Sequence, residues 1–266
     1  MSAIDRRPAT SAIIASLARV EGRKLVTDRI FLAGVAIALL GSGLFVRASL
    51  TQPGTTWDDD GWTVGVGVMI LAILTMVAAN QAALRDRRSH AEEQHSMLPV
   101  PTSTRTWGLL TAMLWPAAVA TVLFAGVVGS AAAKGIIING IELLQLVEGV
   151  CAVLLLGATG IAIAAWLPNP FVAPMLGWAL FLVTPDDVPR SWHSLTLFVG
   201  ARSTELARWH LTYLGGLTAI IALVAVGRSS RLRSLLLPGM IATGVVVSSG
   251  IVLLMRACPL EGACLF

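Results

Sequence analysis

Residues 149–185 read GVCAVLLLGATGIAIAAWLPNPFVAPMLGWALFLVTP, 37 consecutive positions without a charged side chain. As a single α-helix this stretch would be roughly 55 Å long, nearly twice the hydrocarbon thickness of a bilayer. It must therefore fold back on itself, and Pro168-Asn169-Pro170 marks the place. The two prolines withhold two backbone donors and bias the residues before them away from the α conformation. The reading is one span over about 143–166 and another over 171–184. The second is short enough that it either crosses fully or re-enters.

The same pattern extends in both directions. Ile30 to Val46 lies between Arg29 and Arg47, Gly61 to Leu84 between Asp60 and Arg85, and Trp107 to Ala133 between Arg105 and Lys134. Leu211 to Gly227 and Ser234 to Met255 follow. Apolar runs of about 17 residues or more can cross a bilayer as helices, and only helices or closed barrels satisfy their backbone groups there. The expected fold is an all-α integral membrane protein. It is a polytopic helical bundle of about seven transmembrane helices, at 30–46, 62–84, 107–131, 143–166, 171–184, 211–227 and 235–255, preceded by an N-terminal interfacial amphipathic helix.

Composition excludes a water-soluble fold, since 56% of residues are hydrophobic, 13% are charged and the mean hydropathy is +0.79. A soluble surface would have to be apolar almost everywhere. The net charge of +4 does not imply nucleic acid, because the Arg residues sit in short clusters at span ends rather than along one face. A charged segment precedes Ile30, so the first span is expected to be an uncleaved signal anchor.

Seven crossings from a cytoplasmic amino terminus place 13 Lys and Arg residues inside and 6 outside, a positive-inside bias. The inner set includes Arg29, Arg85, Arg87, Arg88, Arg105 and Arg228; the outer set includes Arg47, Arg190 and Arg208. The frame makes 1–29 a cytoplasmic tail and helix, 85–106 a cytoplasmic loop, 185–210 an extracellular segment and 256–266 an extracellular tail in the plasma membrane. Trp57, Trp62, Trp192 and Trp209 fall at the outer boundary and Trp107 and Trp166 at the inner one, whereas Trp115 and Trp178 lie deeper, as packing residues.

Before the first span, Ile13, Leu17 and Val20 recur at helical spacing with Arg19, Glu21, Arg23 and Lys24 on other faces, and Thr10 or Ser11 can cap the start. Such a helix would lie at the cytoplasmic boundary, the plainer reading being a solvated tail. After the second span, Arg85-Asp86-Arg87-Arg88, then Glu92-Glu93 and Leu98-Pro99, describe a short amphipathic helix ended by proline. His90 and His95 are five apart with carboxylates misplaced for H-E-x-x-H, so no metal is expected.

Glu148 is the one formal charge well past an interface, with Gln145 one turn earlier and Glu142 nearer the boundary. An ionisable group at that depth must face protein, water or a partner. It serves either a transport path or, protonated or hydrogen-bonded, as helix glue. Gly61 with Gly65, and Gly157 with Gly160, suit close helix approach, while Pro116 and Pro174 are expected to kink their helices. Cys258 and Cys264 fall on the outer side, where a disulfide is permitted, with Pro259 and Gly262 allowing a turn between them. No G-x-x-x-x-G-K-[ST] occurs and no Ser/His/Asp or Cys/His grouping is evident, so the chain is not expected to be an enzyme by itself.

Taken together, the helix before the first span, the Arg85 to Pro99 loop, the Arg105-led third span and the Pro168-Asn169-Pro170 turn resemble the type-two ABC exporter permeases. The segment Trp209-His210-Leu211-Thr212-Tyr213-Leu214-Gly215-Gly216-Leu217 is similar to their actinobacterial branch. The resemblance implies a permease subunit that binds no cofactor. It would pair with a second permease copy or a homologous permease in membrane lipid, driven by separate ABC ATPase subunits carrying ATP and Mg. Arg85, Arg87, Arg88, Glu92, Glu93 and Leu98 would form the ATPase-coupling loop, and Ile13 to Lys24 the connecting helix. The simplest family members have six spans, so the apolar run after Arg228, Arg231 and Arg233 is a departure. The alternatives are an ATP-independent transporter or channel, and a non-transporting membrane subunit for immunity, assembly or sensing.

Overall fold

The computed structural model describes residues 10–51, 57–88, 102–133, 140–182, 204–229 and 233–261, and among these the chain is helical with no strand. In order the helices are α1 (Thr10–Val26), α2 (Arg29–Thr51), α3 (Trp57–Arg88), α4 (Thr102–Ala112), α5 (Leu114–Ala133), α6 (Gly140–Trp166), α7 (Val172–Leu182), α8 (Thr204–Gly227) and α9 (Arg233–Glu261). Five segments are long and apolar enough to cross a membrane: Val64–Arg85, Thr102–Ala133, Leu143–Trp166, Thr204–Gly227 and Leu235–Met255. The bent pair of α1 and α2 makes a sixth if it is counted as one span. Hydroxyls inside these helices donate back to their own backbone, as Thr75 Oγ1 does to Leu71 O at 2.7 Å and Thr159 Oγ1 to Leu155 O at 2.8 Å. This satisfies them where no water is at hand.

The prolines behave differently according to position. Pro116 cannot donate to Ala112, so the helix breaks at Met113, whose N–H bonds Leu110 O at 3.1 Å before Ala117 N–H resumes the ladder on Met113 O at 3.2 Å. The effect of Pro116 is therefore a one-residue break in the helix at Met113. Pro174 instead sits in the first turn of α7, where a missing donor costs nothing, and it does not kink the helix. The Pro168-Asn169-Pro170 turn forms as read: Asn169 N–H bonds Leu167 O, and Asn169 Oδ1 accepts from Phe171 N–H at 2.9 Å in an Asx turn leading into α7.

Close approaches at small residues give the helix directions. Gly149 faces Val68, Gly157 faces Thr75 and Gly160 faces Met76 and Asn80, so α6 runs parallel to α3. Gly34 against Leu71 and Leu74, with Gly67 against Ala38, makes α2 antiparallel to α3. Met113 at Gly157 and Phe124 at Gly149 set α4 and α5 antiparallel to α6. Val245 and Val246 at Gly216, with Leu235 at Gly227, set α9 antiparallel to α8. Glu148 meets His210 and Trp166 meets Val224, so α8 is parallel to α6. Thr204 lies about 30 Å along α8 from Val224, so the chain must travel back about 30 Å, a hydrocarbon thickness, between Trp166 and Thr204.

α7 begins that return but, at about 16 Å, makes up only half of it. Its small face docks on α3, with Ala173 buried and Gly177 against Ile73 and Met76. Its bulky residues Met175 and Trp178, with Phe171 just before the helix, are exposed on the other side. Trp178, expected to pack inside, is 65% exposed and meets only the edge of Phe181 at 6.3 Å among the described rings.

Several helix limits lie beyond the charge clusters. α3 continues through Arg85, Arg87 and Arg88 rather than giving way to a loop, α4 already contains Arg105, and α8 begins ahead of His210. α9 runs on through Cys258 and Pro259, so Pro259 is helical rather than in a turn. A charged side chain ends an apolar run without ending the helix, because a helix can project into water with its polar residues solvated. His90, Glu92, Glu93, His95, Leu98 and Cys264 lie outside the described residues, and with them the proposed Cys258–Cys264 bond. Of the expected small-residue approaches, Gly157 and Gly160 are in place, whereas Gly65 has open space around it.

A Cβ at Gly160 would collide with the Met76 carbonyl, a backbone atom that cannot swing aside. Gly160→Leu is thus expected to cost about 2–3 kcal/mol, and Gly43→Ala, with nothing nearby, less than about 0.5 kcal/mol. Thermal unfolding in detergent measures both, and equal midpoints would contradict the α3–α6 approach.

Candidate functional site

Glu148 lies on the third turn of α6, with Gln145 one turn before it and Cys151 one turn after it. Glu205 in the first turn of α8 suits the positive end of that helix dipole, and the helix then carries His210 inward. Because α6 and α8 run parallel, the two side chains meet: Glu148 Oε1 lies 3.1 Å from His210 Nδ1, with the side chains 5% and 3% exposed. The Tyr213 ring stacks on His210 at 6.4 Å between centroids and 18° between planes. Val68 and Phe124 wall the neighbouring Gly149 with apolar surface.

The two side chains tie two helices together by close contact away from solvent, although the Oε1–Nδ1 approach is not aligned as a hydrogen bond. Among the described residues no group of three or more His, Cys, Asp or Glu is placed to hold a metal. Glu148 faces protein at His210, as an ionisable group at that depth must face protein, water or a partner. The sequence singled out Glu148 and Gln145 but not His210, whose role depends on the α6–α8 alignment.

Asn80 is a second buried polar position. Its Nδ2 donates to Gly160 O at 3.1 Å, a bond that the missing Cβ at Gly160 permits. Its Oδ1 has no hydrogen-bond partner among the described residues. The signal for it was present in the sequence as the Asn80-Gln81 amide pair at the end of an apolar run. Asn80 is about 18 Å from the Glu148 level along α6, so the two do not form one site.

At the opposite end of the bundle from Thr204, Arg85 is exposed at the end of α3, with Arg87 and Arg88 completing that helix. α1 is bent 62° from α2 and packs on α4 and the start of α5, Leu17 against Gly108 and Gly22 beneath the Trp115 ring. Asp28 Oδ1 accepts from Ile30 N–H at 2.9 Å and caps α2 at the bend. Ala18, Gly22 and Leu25 form the buried side of α1, because small residues let α4 approach; Val20, expected on the apolar side, is 52% exposed. Arg19, Arg23 and Lys24 are exposed, Lys24 Nζ pairing with Glu21 at 2.8 Å.

No family model, curated protein or solved structure matches this chain. The class that the helices define is a helical membrane protein.

The pair of Glu148 and His210 predicts coupling. In a double-mutant cycle of Glu148→Gln and His210→Gln, read from unfolding in detergent, the interaction energy is expected at about 0.6–1.7 kcal/mol. Additive single effects would show that the pair does not hold α6 to α8.

Proposed function

We propose that this chain is the transmembrane permease subunit of an ABC exporter, forming the translocation path with a second permease and driven by separate ATPase subunits. The observation that carries the reading is the α1–α2 pair: a basic helix, turned by 62° and seated on the third apolar segment, just before the first. That is the arrangement a connecting helix needs in order to transmit movement from a cytoplasmic partner to the bundle. The continuation of α3 through Arg85 and Arg88 supports it, since a rigid helix transmits force where a flexible loop would absorb it.

The antiparallel and parallel pairings, with the 30 Å return before α8, support seven crossings. In this reading the Arg85 end faces the cytoplasm and the carboxyl terminus lies outside. Closure of the ATPases on ATP and Mg would pull on the 85–106 segment and rock the paired permeases as rigid bodies. The alternative of an ATP-independent transporter needs Glu148 to line a water-filled path, and its burial against His210 favours that less.

Co-purification of the chain from its native membrane is expected to bring a P-loop ATPase with it. Replacing Glu92 and Glu93 with Lys is expected to lower ATPase stimulation by the permease while leaving insertion intact; full stimulation would overturn the coupling role. An impermeant thiol reagent applied to intact, reduced cells is expected to label Cys264. Labelling only after lysis would reverse the carboxyl-terminal placement.

A further inference from the structure

The Pro168-Asn169-Pro170 end of α6 and the end of α8 form a built junction that the exporter reading does not use. Trp166 Nε1–H donates to Val224 O at 2.9 Å, taking up one of the four carbonyls that the last turn of α8 leaves without an intrahelical donor. The indole is thereby fixed across the helix end, yet 51% of the residue is exposed. Arg228, one residue beyond α8, lies over that ring with its guanidinium carbon 6.0 Å from the centroid. Arg228 is exposed, and no carboxylate among the described residues pairs with it.

Apolar surface adjoins this cation. Val224, Leu167 and Phe171 are all exposed large side chains, the last two on the turn that directly follows Trp166. A guanidinium over a hydrogen-bonded, amphipathic indole, with exposed aliphatic and aromatic side chains on the adjoining turns, is complementary to a molecule that joins a negative head to hydrocarbon chains. A soluble anion would match the charge but leave the apolar flank without a partner.

We infer that Trp166 and Arg228 form a binding site for the headgroup of an anionic phospholipid, with an acyl chain lying along Val224 and Phe171. The site rests on α6 and α8 lying in a bilayer and is independent of the exporter reading. Since Arg85 and Arg105 gather at the same end of the bundle, the lipid belongs to the leaflet on the Arg-rich side.

The test is native mass spectrometry of the full-length protein in detergent with phosphatidylglycerol or phosphatidylcholine of identical acyl chains. Wild type is expected to retain phosphatidylglycerol preferentially. Arg228→Gln should reduce that retention about fivefold, the worth of one basic residue at such a surface, without changing phosphatidylcholine. Arg228→Lys should preserve part of the preference, and Arg208→Gln, on the other end of α8, all of it. Undiminished preference in Arg228→Gln, equal loss in Arg208→Gln, or displacement of the lipid by millimolar inorganic phosphate would each overturn the assignment. Should Arg228→Gln fail to fold, Trp166→Phe decides: it keeps a ring but loses the bond to Val224, and an unchanged lipid preference would count against the site.

Discussion

The approach of α6 to α3 at Gly160 is the contact on which the bundle is arranged. In hydrocarbon the solvent is as apolar as the side chains, so helices associate through close packing and polar contacts rather than through escape from water. Gly160 lets the backbones come near enough for Asn80 to reach the Gly160 carbonyl, and Gly157 and Gly149 continue the same seam against Thr75 and Val68. The buried core follows from that seam, drawing on Ala72, Ala79, Ala152 and Val153 along the two helices.

A second seam joins α6 to α8 by different means. Two polar ties hold it, Glu148 with His210 and Trp166 with Val224, at opposite ends of the helices. Their separation, about 27 Å along α6, fixes both the parallel direction and the register, because a slip of one turn would break both ties together. The close approach of a buried carboxylate to an imidazole is thus also part of what fixes the position of α8. Aligned in this way, the end of α8 meets Trp166, so the placement of Arg228 over the indole is a consequence of the same register.

α9 and the outer face of α2 contribute less to the core and show large apolar side chains such as Leu40, Leu237 and Met240 outward. In water such a surface would be a liability; in a bilayer it is the expected solvent-facing surface. The 62° bend between α1 and α2 separates a basic, half-solvated helix from an apolar one, with the Asp28 cap at the joint satisfying a donor that the bend would otherwise leave free.

The helical class, the fold-back at Pro168-Asn169-Pro170 and the break near Pro116 were legible in the sequence, because each is imposed locally by backbone hydrogen bonding and the length of apolar runs. Glu148 was legible as an anomaly, since a carboxylate in an apolar run requires an explanation wherever it lands. His210 was not, nor were the outward turn of Trp178 and the exposure of Val20. Each depends on which face of a helix carries the smaller residues and on which neighbour those residues admit. Periodicity gives a helix its faces, but only packing decides which face is inside. The pairing of Glu148 with His210, 62 positions apart in the sequence, was decided by the parallel alignment of α6 and α8, a relation that only the tertiary structure contains.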